Sequence, residues 1–433
     1  MKKIIKYLFL LTGGSFILAS CNDFLDREPL DSVTPDNFFF TENDLAAYAV
    51  KHYNFTTHEG FNAGIWKNDN ATDNQAATDY DKKWIPGQWK VPEAYDNPAS
   101  NDPWYFSTIR EANYFLETVV PRFEKGEIEG SETNIKHYIG EMYLLRAKNY
   151  LSKLETFGDF PIIKNTLPDE SESLIQASKR APRYKVAHFI LEDLDQAISL
   201  LTNNISGGKN RITKNAALLL KSRAALFEAS WLTYHKGTAL VPGGPGWPGK
   251  AEDIADFNID TEIAFFLKEA KAAAKEVIGN AALVQNTAKD CMDETVKTDE
   301  DKYKMSNPYF AQFSANSLEG YSEILMWRAY NLLDYKIVHS APFYIRVGGN
   351  TGFTRQYVES FLCRDGKPIY ATDQYKGDES LLNVRKNRDL RLQLFLMTPG
   401  ETLSPNVMNG TPDLLPEVPQ LLDITEKRCV TGY

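Results

Sequence analysis

Apolar residues recur at alternating spacings of three and four in four separate stretches of this chain. They are Tyr143, Ala147, Tyr150, Leu154 and Phe157; then Ile190, Leu194, Ala197 and Leu201; then Ala217, Leu220, Ala224, Phe227 and Trp231; and finally Ile263, Phe266, Ala270, Ala273 and Val277. That period places each set on one face of an α-helix, so four amphipathic helices are predicted, each needing a partner to cover its stripe. Gly158 supplies a stop for the first, the second ends near Gly207-Gly208, and Thr213, preceded by Ile212, is the expected N-cap of the third. Short connections between such helices predict antiparallel hairpins, as in helical-repeat proteins. No textual repeat accompanies them, because the tetratricopeptide pattern of Trp, Leu-Gly and Tyr is missing.

Elsewhere the period is lost. Residues 58–104 hold Trp66, Trp84, Trp89 and Trp104 among Asn, Asp, Pro and Gly, and read as a long aromatic-rich loop. Residues 235–258 contain the Gly/Pro run 242–249 and read as loop as well. Long loops in compact domains are functional or disordered, and embedded tryptophans argue against disorder. From about residue 303 the chain is loop-rich. Glu323–Trp327 and Pro342–Val347 read as short strands, with turns at Asp365-Gly366 and Asn409-Gly410.

The N-terminus carries an address. Lys2, Lys3 and Lys6 precede a short apolar run ending at Leu18, and Leu18-Ala19-Ser20-Cys21 reads as a lipobox. Cleavage before Cys21 would leave a lipidated cysteine, and two or three acyl chains hold a protein stably on a membrane. A secretory signal with a chance cysteine is the alternative. Losing residues 1–20 removes three lysines and no acid, so the formal charge of -10 becomes about -13. That charge repels anionic headgroups, which leaves the lipid as the anchor. It also disfavours nucleic acid as a partner. With Cys21 assigned to lipid, Cys291, Cys363 and Cys429 permit at most one internal disulfide, so the fold must rest on its core.

Motifs for chemistry are few. Gly244-Pro245-Gly246-Trp247-Pro248-Gly249 formally satisfies G-x-G-x-x-G, but two prolines remove amides and no strand precedes it. The six histidines make no zinc-ligand spacing. Asp69, Asp73, Asp79 and Asp81, with Asn68, Asn70 and Asn74, supply hard oxygens for Ca²⁺. The EF-hand order fails for want of its glycine, and a solvated acidic loop is the better reading. No cofactor is expected. Nothing marks a pair of catalytic carboxylates among the 58 acids, so a surface glycoside hydrolase is the minority reading.

Six segments in order resemble the SusD/RagB family of surface lipoproteins. They are Cys21–Asp26 with Pro29; Trp104-Tyr105 with Ile109–Asn113; Arg146-Ala147 and Tyr150 with Phe157–Ile162; Arg211–Lys214 with Ala216-Ala217 and Ala224; Glu323–Leu325; and Arg388–Arg391. The resemblance implies a mainly α fold: a tetratricopeptide-like helical-hairpin scaffold with loop-rich, few-strand excursions forming a ligand face. It implies a signal peptide at 1–20, an N-terminal helical region at 21–235 and a C-terminal region at 236–433. Relatives continue past the segment matching Thr431–Tyr433 with a further helix pair. It also implies an outer-membrane position, a SusC-like TonB-dependent barrel as partner, and glycan capture without turnover. The RagB side of the family makes peptide cargo the alternative, and an adhesive role stands third.

Aromatics make up 12% of the chain, with 22 Tyr, 24 Phe and 7 Trp. Flat rings stack on the C–H faces of sugars while polar neighbours bond the hydroxyls. Trp104, Tyr143, Tyr150, Phe157 and Trp231 lie in helical motifs and are expected to pack. Trp66, Trp84, Trp89, Tyr95 and Trp247 lie in loops, and Trp327 and Tyr330 flank the expected strand at 323–327. These seven are the expected ligand contacts.

Overall fold

The computed structural model describes residues 38–53, 69–70, 72–77, 104–285, 307–329, 351–396, 398, 402–404 and 413–414. Its helices in the first part are α1 (Glu42–Lys51), α2 (Ser107–Glu124), α3 (Glu132–Phe157), α4 (Ser171–Ala177), α5 (Arg183–Leu200), α6 (Lys214–Tyr234) and α7 (Ile259–Asn280). Each long helix packs on its neighbour in order, α2 on α3, α3 on α5, α5 on α6 and α6 on α7, while α1 covers α3. The expected layer of helical hairpins is the architecture.

The predicted stripes lie largely on the buried faces, although Tyr143 and Phe157 on α3 and Ile263 on α7 are half-buried and α6 departs further. Ile190, Leu194 and Ala197 on α5 and Leu201 just after it are buried, and on α7 Phe266, Ala270, Ala273 and Val277 are. On α6 the predicted Leu220, Phe227 and Trp231 are only half-buried, while Leu218, Ala225 and Leu232 are buried. Helix α6 is sandwiched between α5 and α7 and therefore buries two stripes, the second interrupted by Lys221 and Glu228. Thr213 caps α6 as expected, its Oγ1 accepting from the Ala216 amide at 3.3 Å. Gly158 caps α3 at φ +72, a backbone region that disfavours L side chains. Gly140 lets α3 pack tightly on the end of α5: a Cβ there would meet Leu201, Leu200 and the Ala197 carbonyl at 3.0–3.2 Å.

Buried charge in this layer is matched by opposite charge across helices. Arg146 on α3 forks onto Asp193 on α5 with two bonds of 2.7 Å. Arg183 on α5 forks onto Glu228 on α6, the closest bond also 2.7 Å. Arg211, before α6, forks onto Glu141 on α3 at 2.7 and 2.9 Å. Burial pushes the Asp193 and Glu228 carboxyls above their ordinary values, and the arginines pull them back.

The rest is short elements, as expected. These are α8 (Pro308–Ser314), α9 (Arg355–Ser360), α10 (Leu381–Arg385), α11 (Leu390–Phe395) and two small antiparallel pairs. Strand β1 (Gln75–Ala77) pairs with β2 (Thr351–Phe353) in the register Gln75↔Phe353, and β3 (Thr402–Ser404) pairs with β4 (Asp413–Leu414). The expected loop at 58–104 thus contains a strand. Its polar cluster serves that pairing: Asn70 accepts from the Thr351 hydroxyl, Asn74 O from the Thr354 amide, and Asp73 O from the Thr354 hydroxyl. The loop at 235–258 contains one 3₁₀ turn, Ala251–Ile254.

One expectation is corrected. Glu323–Trp327 forms no strand; Trp327 N donates to Lys209 O at 3.0 Å, but the next amide in line, Ala329, turns to the Asn210 side chain. One backbone bond cannot propagate a ladder. The turn at Asp365-Gly366 is present, with Gly366 at φ +75 donating to Cys363 O at 2.9 Å. Pro342–Val347 and Asn409-Gly410 lie outside the described residues.

Candidate ligand-binding site

The segment Phe157-Gly158-Asp159-Phe160 turns the chain out of α3, and aromatic rings gather on it. Phe160 is fully buried, with the rings of Trp104, Phe106 and Phe157 at 5.3, 5.1 and 5.6 Å, all within about 24° of parallel. Trp104 therefore packs, as expected of it. It also lines a cavity of about 390 Å³ between the start of α2, residues 161–167 and α4. Phe106, Ile109, Pro161, Ile163, Leu167 and Leu174 supply the apolar wall, and Arg110, Asn165 and Ser178 the polar part. A volume at the lower end of the small-molecule range, with mostly apolar walls and a few polar groups, suits one ring-sized ligand.

The motif residues quoted from the sequence hold this cavity in shape. Asn113 donates to the carbonyls of Ile163 and Asn165 at 2.9 and 3.2 Å and accepts from Arg146 at 2.9 Å. The Tyr150 hydroxyl donates to Ile163 O at 3.1 Å and accepts from Ile163 N at 2.8 Å. Burial pushes that phenol up to about 12. These bonds fix the irregular segment 161–167 against the helices, so the wall is set before any ligand arrives. Trp104 and Arg110 line the cavity but were not among the contacts expected from the sequence. Trp104 was legible only as packing because it lies in a helix motif, and nothing marked Arg110 beyond its place in that motif.

The expected aromatic contacts divide between the two ends of the hairpin layer. Trp247 Nε1 donates to Asp159 Oδ2 at 2.8 Å, and Asp159 Oδ1 accepts from the first amide of α5, Arg183 N, also at 2.8 Å. Trp247 is thus pinned at the same turn as the cavity. Trp327 is held at the other end of α5 and at the start of α6, by its backbone bond to Lys209 and by Nε1 donating to Glu319 at 3.1 Å. Helix α5 has 18 residues, so about 27 Å of helix separates the two indoles. Both are half-buried with their Nε1 bonded, which fixes their rings. Trp66, Trp84, Trp89, Tyr95 and Tyr330 lie outside the described residues, as does Cys21.

The cavity lining holds no acid among the described residues. The buried carboxylates Asp193 and Glu228 are locked to arginines rather than facing it. No group of metal-ligating side chains gathers among the described residues, and no described helix is long and apolar enough to cross a membrane.

Residues 23–226 match the family model SusD-like, described as starch-binding associating with outer membrane. This region is SusD-like. The resemblance therefore holds for the segments within residues 23–226, while Glu323–Leu325 and Arg388–Arg391 lie beyond the match; the cavity, α1 to α5 and most of α6 all lie within the SusD-like region. A curated SusD-like protein of Formosa agariphila is 27% identical over 203 residues, 46% of this chain and 37% of that protein; the match spans little more than a third of the relative's length. Among solved structures, a SusD-like protein of Bacteroides fragilis is 20% identical with a TM-score of 0.57 over 91% of this chain and 67% of its own. A SusD-like carbohydrate binding protein of the same species is 17% identical, with a TM-score of 0.54 over 87% and 62%. At these identities the likeness is one of fold, and it extends past the SusD-like region into the short-element part.

Proposed function

We propose that this chain is an outer-membrane lipoprotein, anchored through Cys21, that captures a glycan at the cell surface and delivers it unaltered to a SusC-like TonB-dependent barrel. The observation that carries the reading is the aromatic-walled cavity inside the SusD-like region. Rings at Trp104 and Phe106 offer flat apolar surface to the C–H face of a sugar, and Arg110, Asn165 and Ser178 offer partners for its hydroxyls. A rigid wall loses little entropy on binding. Trp247 extends the aromatic surface at the same end, Trp327 marks a second contact, and Trp66, Trp84, Trp89, Tyr95 and Tyr330 are assigned to the same ligand face.

Calorimetric titration with a glycan panel, with product analysis of every hit, tests the reading. Binding to a glycan class without cleavage is expected, weakened by Trp247→Ala more than by Trp327→Ala for short chains. Cleavage would move the protein to the hydrolases, and binding of peptides alone would make peptide the cargo. Cys21→Ala is expected to release the protein from the membrane fraction; persistent attachment would refute the anchor.

A further inference from the structure

The described lining of the cavity carries a positive charge and no acid, in a chain whose formal charge is -10. Arg110 is the one charged side chain in its described lining; it is exposed and makes no ion pair or side-chain hydrogen bond among the described residues. The Arg180 guanidinium lies 4.8 Å from the centre of the Trp104 ring, adding a second positive charge beside the same wall. Of the acids near the lining in sequence, Asp169 and Glu170 are exposed and three others are engaged elsewhere. Glu111 faces Lys51 and His52. Glu117 accepts from both the amide and the hydroxyl of Thr166. Glu172 accepts from Gln176. Asn113 is committed to backbone carbonyls and Arg146, so it offers the ligand nothing. Helix α2 begins at the cavity without a side-chain cap and without an acid in its first turn, which leaves the positive end of its dipole uncompensated.

We propose that this cavity selects an anionic sugar ring, one bearing a carboxylate or a sulfate, with Arg110 as the residue that reads the charge. The proposal rests on the glycan reading above and narrows its substrate class. Trp104 and Phe106 take the apolar face of the ring, as they would for any sugar, and Arg110 supplies a charge-assisted bond that a neutral sugar cannot use. Because Arg110 is exposed, the selectivity is partly screened and shrinks with added salt.

The test is calorimetric titration of the full chain in detergent against four probes: trigalacturonate, its methyl ester, a sulfated galactose trisaccharide and its unsulfated counterpart. Each acidic and neutral pair shares a ring and differs in charge. At least one acidic probe is expected to bind about tenfold tighter than its neutral partner. The Arg110→Gln variant should erase that ratio, lowering the affinity for the acidic probe about tenfold more than that for the neutral one, and Arg110→Lys should keep most of it. Circular dichroism of each variant establishes that the helices are intact. If neutral probes bind as well as acidic ones, or if Arg110→Gln leaves the ratio untouched, the charge selection falls while glycan binding stands. If no probe and no glycan of the wider panel binds, both fall. Which acidic probe responds distinguishes carboxylate from sulfate.

Discussion

Arginine is buried in both halves of the molecule, but it does different work in each. In the hairpin layer, Arg146 and Arg183 meet carboxylates, Asp193 and Glu228, each supplied by a neighbouring helix. In the short-element part, Arg388 is fully buried and meets no carboxylate among the described residues. Its guanidinium donates to the carbonyls of Phe361 and Val358 at 2.6 and 2.7 Å and to those of Val384 and Glu359 at 3.3 and 3.4 Å. Arg385 likewise donates to Leu396 O at 3.0 Å. These carbonyls belong to the last turns of α9 and α10 and to the residues just beyond α9 and α11. A long helix satisfies its own carbonyls except for the last four, whereas a six-residue helix satisfies almost none. Where regular structure is scarce, arginine takes over the bonding that a ladder would have provided. Where it is plentiful, arginine is free to tie one helix to the next.

The sharpest way to break this contrast is to remove one arginine of each kind. Arg183→Met leaves Glu228 buried without its partner, and unfolding in urea should show a loss of about 3–5 kcal/mol for the whole hairpin layer. Adding Glu228→Leu should restore much of it, because a pair replaced by apolar groups leaves no charge behind. A single variant as stable as the parent would show that the pair is not what joins α5 to α6.

Alkaline titration separates the halves next. The Tyr150 phenol, ordinarily near 10, is pushed up to about 12 chiefly by burial. The folded state thus favours the neutral phenol. The corresponding stability is fully present below pH 10 and lost as pH rises through about 12, roughly 2–3 kcal/mol in all. Tyr375 in the short-element part is also raised to about 12, by burial and then by Asp378. Tyr150→Phe should shift the alkaline unfolding midpoint of the hairpin layer, monitored by far-ultraviolet circular dichroism, and Tyr375→Phe should not. Equal shifts would deny that the two regions respond separately.

The smallest global effect is expected from Arg388→Met. Its orphaned carbonyls, at about 1–3 kcal/mol each when buried, reach water once the local segment opens. Hydrogen exchange should accelerate over residues 355–396 with little change in α3, α5 and α6. Uniform acceleration would mean that the short-element part and the helices unfold as one.

How much of this was legible in the sequence follows the same division. The stripe of α7 was readable because that helix buries one face, and that of α5 was readable although α5, packed between α3 and α6, also buries Tyr184, Phe189 and Leu191 on either side of it. Only half of α6 was, because Lys221 and Glu228 interrupt its second face while serving ion pairs that no periodicity reports. The strand expected at 323–327 and the pair β1–β2 failed in opposite directions. The first has the apolar composition of a strand but no neighbour to pair with, and the second is three residues long with its partner far along the chain. The cavity was hidden for a related reason. Its floor is made of residues that also pack, and its walls are set by bonds from Asn113 and Tyr150 to an irregular segment.

The pairing of β1 with β2 also sets an order of events. Gln75 faces Phe353, and the Gln75 side chain bonds Thr351 across 276 residues of sequence, while the helices of the hairpin layer each pack on a near neighbour. At typical synthesis rates, tens of seconds separate the appearance of the two strands. Contacts close in sequence form sooner than distant ones. The scaffold that holds the cavity can therefore assemble while β1 is still waiting, and the clasp joining residue 75 to residue 353 closes last.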